Sequence, residues 1–297
     1  MPGKLPLISE PLVSPDSTAE QNRPAPGTRA RWAFDYITST QLSHKVRPPP
    51  LPASGNKTSV LETPTPHKPG RPIELRVSAV APKSPRPGAL KDPRRRAMLL
   101  HTFWHHELQA AELMCWAYLR FSQAEADFRD GLLRIGLDEV RHMGLYEQQL
   151  ERLGYPVGSF PVRDWFWQRV PQVSSALGFV SFMGLGLEAA NLEHSLRYAQ
   201  AFDAAGDPSA AEVQRTVGRE EVSHVAFGRY WFEQWRGELT FAEWQHHLPP
   251  PLTPLMMRGN PVNFKARRQA NLPEAFLCEL SEWKPAKRGR GRTPDQE

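Results

Sequence analysis

The central part of the chain carries hydrophobic residues at spacings of three and four, the period of an amphipathic α-helix. This pattern predicts four long helices, which occupy residues 93–122, 124–153, 172–205 and 208–237. Gly154 and Gly237 are expected to stop the second and fourth helices, and Asp207 is expected to cap the start of the fourth. The central part is therefore predicted to be an all-α four-helix bundle.

Proline separates this helical body from both ends of the chain. The 30 prolines crowd the first hundred residues and residues 249–254, and proline interrupts helices. Residues 1–92 are predicted to form a long, Pro-rich, largely irregular N-terminal extension, mostly disordered or wrapped on the surface, with a short helix near 29–45. Residues 93–248 are predicted to be the bundle with a short helix near 241–247, and residues 249–297 an irregular C-terminal packing segment with a basic disordered tail.

Carboxylates and imidazoles interrupt the apolar stripes of the predicted helices. Burying an ionised carboxylate costs several kcal/mol unless it is paired or bound to metal. The second and fourth helices each carry a Glu-x-x-His motif, which places both side chains on one face one turn apart. The first and third helices each carry a further Glu, 32 or 33 residues upstream of the motif. The six residues are Glu107, Glu139, His142, Glu188, Glu221 and His224. The chain thus contains two copies of one spacing.

Four carboxylates and two imidazoles are the ligand set of di-iron and di-manganese carboxylate bundles. The spacing therefore predicts a ferritin-like four-helix bundle that binds two metal ions. Glu107 and Glu188 are expected to be terminal ligands, and Glu139 and Glu221 to bridge the ions. His142 and His224 are expected to ligate one ion each. Carboxylate and imidazole suit iron or manganese, with zinc as an alternative, and iron is the expected metal.

Acidic neighbours of the motifs are candidates for a supporting role. Asp138 and Glu220 each precede a bridging glutamate, and each is predicted to accept a hydrogen bond from the histidine of the opposite half. An exposed acidic residue is the alternative interpretation. Arg141 would neutralise the acidic charge, and an ordinary surface ion pair fits it equally well. Glu112 and Glu193 follow the terminal ligands by five residues, so they leave the ligand face and are predicted to pair with other helices.

Four segments of the chain together resemble a bacterial family of uncharacterised ferritin-like proteins known as a domain of unknown function. The segments are HHELQAAEL, LDEVRHMGLYEQQLERLG, GLEAANLEH and REEVSHVAFG, and NPVNFKARRQANL resembles the C-terminal signature of that family. The resemblance covers residues 72–280. The arrangement from Asp138 to His142 is similar to motifs in the small subunit of class I ribonucleotide reductase and in bacterial multicomponent monooxygenases, which implies bridging and supporting roles for these acids. The Pro-rich N-terminal region and MGLGLEAANLEH depart from the commoner form and imply a specialised subgroup.

The distribution of charge and the cysteine content limit which partners and cellular locations are expected. The net charge of +5 comes from the ends: residues 1–98 have 16 Lys and Arg against 7 Asp and Glu, and residues 283–297 have 5 against 2. Nucleic-acid binding is therefore expected only through the basic tails. Cys115 and Cys278 form no CxxC motif. A signal peptide and an apolar run of about 18 residues are both lacking, which predicts no membrane span and a cytoplasmic location.

The expected function is that of an oxygen-activating oxidase or oxygenase acting on a small molecule. Its partners would be that substrate, O2, an external electron donor and, as an alternative to a monomer, a second copy in a homodimer. Non-enzymatic iron binding, storage or protection is one alternative, and hydroxylation of RNA is another. The sequence identifies neither the substrate nor catalytic residues beyond the metal ligands.

Overall fold

A computed structural model describes residues 23–53, 64–80 and 84–285, and their regular structure is helical. Across these ranges the only β-type pairing is an isolated parallel bridge between Val77 and Val162. The predictions for residues 1–22 and for the basic tail from residue 286 lie outside the described residues. Within the described part of the chain, none of the helices combines the length and the apolar character that crossing a bilayer requires.

Four long helical segments form the body, with short helices on either side. The N-terminal pair is α1 (Arg29–Thr38) and α2 (Leu42–Val46). The long segments are α3 (Pro93–Arg120), α4 (Ala126–Arg152), a composite of α5 (Ala176–Phe182), a π-helix (Met183–Glu188) and α6 (Ala189–Ala204), and then α7 (Pro208–Arg236). The C-terminal helices are α8 (Phe241–His246), α9 (Phe264–Gln269) and α10 (Glu274–Glu282). The prediction of all-α structure is confirmed for the described residues.

Local capping chemistry fixes the ends of the long helices. Asp207 caps α7 by accepting a hydrogen bond from the backbone N–H of Ala210 at 3.1 Å, and Gly237 ends the same helix with φ of 90°. The third segment was predicted to begin at residue 172, but it begins at Ala176, because Ser175 accepts a hydrogen bond from the N–H of Gly178. The prediction of one continuous helix was also wrong, since the π-helix interrupts it.

The long segments pack as two hairpins that face each other. Residues 121–125 connect α3 to α4, and residues 205–207 connect α6 to α7, so each pair runs antiparallel. The hairpins meet where α7 contacts α4, and α5 packs on α7 within the second hairpin. The short helices α1 and α2 pack on α3 and α4, respectively.

The buried apolar residues form two clusters, with a polar layer between them along three helices. In α4, Phe128, Leu132 and Ile135 belong to one cluster, and Met143 and Leu150 to the other. The residues between these groups include Glu139 and His142, both fully buried. Helix α7 changes cluster across Glu221, and α3 changes cluster between Leu108 and Ala110, directly after Glu107. The apolar core is therefore split at the level of the predicted ligands.

The C-terminal segment is more regular than predicted. An irregular segment was expected after residue 248, but α9 and α10 lie there. Asn263 caps α9 through a hydrogen bond from the N–H of Ala266, and Arg267 in α9 forms a buried ion pair with Glu193 of α6 at 2.7 Å. This long-range pair holds α9 in place, although the sequence of that short helix shows little amphipathic pattern. The predicted pairing of Glu193 with another helix is confirmed.

The N-terminal segment is tied to the bundle through a buried network of charges centred on Glu112. The fully buried Lys45 of α2 donates to Glu112 at 2.8 Å, and Arg71 donates to both of its oxygens at 2.6 and 2.9 Å. Arg71 also donates to Asp164, which contacts His105. Glu112 thus pairs with a short helix, as predicted, and with an irregular segment. The domain boundaries at residues 92 and 248 stay predictions.

One contact between helices depends on glycine, and it gives a first testable prediction. A Cβ atom on Gly228 of α7 would lie 3.0 Å from Cα of Gly184 in the π-helix and 3.2 Å from its carbonyl carbon. We expect Gly228→Ala to lower the free energy of unfolding by about 1–3 kcal/mol, because backbone rather than a flexible side chain must move. Gly144→Ala is the matched control, since nothing lies within 4 Å of its added Cβ. Denaturant unfolding of both variants measures the difference, and equal stabilities would contradict the close approach.

Candidate metal centre

The structure brings all six predicted ligands into one buried cluster in the middle of the bundle. Each of these residues is at most 6% exposed. They divide into two groups of four, and within each group one ligand atom per residue lies within 4.8 Å of the others. The first group is Glu107, Glu139, His142 and Glu221, and the second is Glu139, Glu188, Glu221 and His224. Glu139 and Glu221 belong to both groups, as bridging residues would.

The two histidines point the same ring nitrogen into the cluster. Nδ1 of His142 lies 3.0 Å from Glu139 and 3.6 Å from Glu107. Nδ1 of His224 lies 2.9 Å from Glu221 and 3.0 Å from Glu139. The Glu-x-x-His spacing produces this geometry directly, because residues three apart on a helix are neighbours.

The outer nitrogen of each histidine faces an acidic residue of the opposite hairpin. Nε2 of His142 lies 2.8 Å from Glu220, and Nε2 of His224 lies 3.4 Å from Asp138. Arg141 contacts Glu220 and lies 3.9 Å from Asp138. The hydrogen bond from His224 lowers the pKa of Asp138. Burial opposes ionisation of Glu220, but Arg141 and His142 keep its pKa below its ordinary value. With a metal ion bound, Nε2 would donate outward to these acids and each Nδ1 lone pair would face the ion.

The π-helix determines the position of Glu188. Its hydrogen bonds span one residue more than those of an α-helix, and Glu188 is its last residue. Such segments occur frequently at functional sites because they re-aim one side chain within an otherwise regular helix. One turn later, Asn191 donates a hydrogen bond to Glu221 at 2.9 Å. The residue at the same offset from Glu107 is Ala110, so the two halves differ on this side.

The electrostatics of the cluster suit a cation. Burial raises the pKa of Glu107 well above its ordinary value, and the neighbouring Glu139 raises it further. Burial and nearby carboxylates raise the pKa of Glu188 in the same way. Burial alone would lower the pKa of His142, but hydrogen bonds to Glu107 and Glu139 raise it to about 12. Burial would raise the pKa of Glu139, but His224 and His142 hold it well below its usual range.

Glu188 provides a specific test of whether the residues fit a metal. Its Oε1 atom is buried and has no hydrogen-bond partner within the described part of the chain. A buried acceptor without a partner costs free energy, and a coordinated cation would satisfy it. Together with the shared glutamates and the inward Nδ1 atoms, this oxygen makes the donor set compatible with two ions.

Fold and site together define a protein whose described residues are helical and enclose a buried cluster of Glu and His that could hold metal ions. The chain belongs to the family described as "Protein of unknown function (DUF455)", which matches residues 27–278. It is also similar to an uncharacterized protein of Haemophilus influenzae, with 26% identity over 161 residues. The match covers 52% of this chain and 56% of the relative, so the chain spans about half the length of that protein. No solved structure matches the chain.

Two features of the site escaped the sequence analysis. Asn191 was not singled out, although it follows Glu188 by three residues, the spacing that joins Glu to His in both motifs. The π-helix was also not predicted, because the run MGLGL is apolar or glycine at every position and carries no alternation in which an extra residue would show. Both glycines of MGLGLE, Gly184 and Gly186, lie inside the π-helix.

Proposed function

We propose that this protein is a ferritin-like protein that binds two metal ions, with iron as the expected metal, and that it oxidises a small organic molecule with O2. The observation that carries the proposal is the pair of overlapping ligand groups, which share Glu139 and Glu221 inside a buried core. Four carboxylates and two imidazoles on four helical segments are the donor set of ferritin-like di-iron and di-manganese proteins. The apolar clusters on either side would exclude bulk water from the centre.

The six residues would bind the two ions in different ways. His142 with Glu107 would hold one ion, His224 with Glu188 would hold the other, and Glu139 and Glu221 would contact both. When bound, a pair of redox-active ions would supply electrons for oxygen chemistry. Asp138 and Glu220 would fix the two imidazole rings, and Asn191 would orient Glu221. An external electron donor would have to reduce the site after each turnover.

Iron loading tests the proposed function. We expect the metal-free protein to take up about two ferrous ions per chain without oxygen and to consume O2 once air is admitted. The Glu139→Gln variant should do neither. Failure to bind iron, or bound ferrous iron that does not react with O2, would reject the proposal, whereas oxygen consumption by itself is equally expected of iron storage or protection. Assembly separates that alternative further, because storage needs a large oligomer whereas an oxidase functions as a monomer or dimer.

The acidic residue behind His142 should tune affinity without changing the number of ions. We expect Glu220→Gln to weaken metal binding by about 10- to 100-fold, because the imidazole loses the carboxylate that orients it and raises its basicity. Glu212→Gln, an exposed change on the same helix, is the control. Competition with a chelator of known affinity measures the change. An unaltered affinity in Glu220→Gln would show that this carboxylate only forms a surface pair with Arg141.

A further inference from the structure

A cavity of about 270 Å³ reaches the candidate metal centre from one side of the bundle. It touches Glu107 and Glu188, the two expected terminal ligands, and no other residue of the six. The volume lies just below the usual range for drug-sized ligands, so it suits one small molecule of roughly ten non-hydrogen atoms.

Aromatic side chains form much of the cavity wall. The ring centroid of Phe103 lies 5.7 Å from that of Tyr146 and 5.0 Å from that of Tyr198, which it meets edge to face. Tyr146 is fixed by a hydrogen bond from Gln214 at 2.9 Å. Edge and face contacts of this kind favour a planar aromatic ligand over a flexible aliphatic one. We therefore expect the wall to favour a planar ring.

Arg197 is the one arginine or lysine among the described residues that line the cavity, and it supplies a permanent positive charge there. Asn191, His194 and Arg197 follow one another at intervals of three along α6, and all three line the cavity. Arg197 is exposed, and its guanidinium lies 5.7 Å from the Tyr198 ring with no carboxylate of the described residues in ion-pair contact. From Asn191 to Arg197 the helix rises by about 9 Å, which matches the length of a small substituted ring.

We propose that this cavity is the substrate site and that it binds a small monocyclic aromatic carboxylate. The ring would lie among Phe103, Tyr146 and Tyr198, and the carboxylate would pair with Arg197. Guanidinium groups bind carboxylates through two parallel hydrogen bonds, which fixes the orientation as well as the position of the ligand. The inference rests on the proposed function, because this pose directs the far edge of the ring toward Glu107 and Glu188.

Calorimetric titration of the full chain with three matched probes tests this inference. Phenylacetate carries the ring and the carboxylate, 2-phenylethanol keeps the ring without the charge, and benzylamine reverses the charge. We expect saturable one-to-one binding of phenylacetate that is at least about tenfold tighter than binding of either other probe. Arg197→Gln should weaken phenylacetate by about tenfold or more and leave 2-phenylethanol unchanged. Arg219→Gln, an exposed change on α7 outside the cavity, should have no effect.

The outcomes separate this inference from the proposed function. Absence of phenylacetate binding, tighter binding of benzylamine, or an unaffected Arg197→Gln variant would overturn the inference. Metal content is measured on the same samples. If the protein contains two ions per chain but does not bind phenylacetate, only the inference is rejected. A protein that takes up no metal but binds phenylacetate through Arg197 would reject the proposed function alone.

Discussion

Replacing Glu139 with Gln should lower the metal content of the protein from about two ions per chain to near zero. Glu139 belongs to both ligand groups and contacts the Nδ1 atoms of both histidines at 3.0 Å. Gln has nearly the same shape but lacks the charge that two cations would share. Loss of this one carboxylate therefore affects both ions, whereas loss of a terminal ligand such as Glu107 should affect mainly one.

The same helix provides the control for this experiment. Glu151→Gln changes an exposed residue of α4 in the same chemical way and should leave the metal content at about two. Circular dichroism of both variants should show unchanged helix content, because Glu139→Gln is isosteric. A Glu139→Gln variant that retains both ions would contradict the assignment of this residue as a shared ligand.

The largest loss of stability is expected from Glu112→Ala. This carboxylate accepts hydrogen bonds from Lys45, Arg71 and Trp167, and it is fully buried. Its removal leaves the Lys45 charge buried without its carboxylate partner and frees one side of Arg71. We expect the free energy of unfolding to fall by roughly 3–5 kcal/mol, the usual cost of breaking a buried ion pair from one side. Urea unfolding measures the change, with Glu151→Ala as the exposed control.

The contribution of Glu112 to the free energy of unfolding should also depend on pH. Burial would raise the pKa of Glu112, but Arg71 and Lys45 hold it below its ordinary value of 4.5. A carboxyl group whose pKa is depressed in the folded protein stabilises the fold above its unfolded pKa and loses that contribution as pH falls. The stability difference between wild type and Glu112→Ala should therefore be full at pH 7 and shrink below pH 4.5. A difference that stays constant through that range would contradict the buried ion-pair network.

The sequence predicted the parts of the fold that depend on local order. The apolar period and the caps located α3, α4 and α7 to within a few residues, because these helices are long and carry their own start and stop signals. The Glu and His spacing also identified the six residues of the buried cluster. A carboxylate within an apolar stripe can be recognised from the sequence alone, because its burial without a partner would be costly and therefore indicates that a partner or an ion lies nearby.

The features that the sequence did not predict depend on contacts between residues far apart in the chain. Lys45 and Arg71 lie 67 and 41 residues from Glu112, and nothing local indicates that they are buried with it. The pairing of Glu193 with Arg267 likewise turned a segment predicted to be irregular into one that contains α9. The cavity lined by Phe103, Tyr146 and Arg197 combines three helical segments, so its shape exists only once they have packed.

A crystal structure of the iron-loaded protein with anomalous scattering at the iron edge tests the proposed two-metal site most directly. We expect two anomalous peaks about 3.5–4 Å apart, one beside Nδ1 of His142 and one beside Nδ1 of His224, with Glu139 and Glu221 between them. A single peak, or iron bound only at surface histidines with the buried cluster empty, would contradict the assignment of these residues as a shared two-metal site.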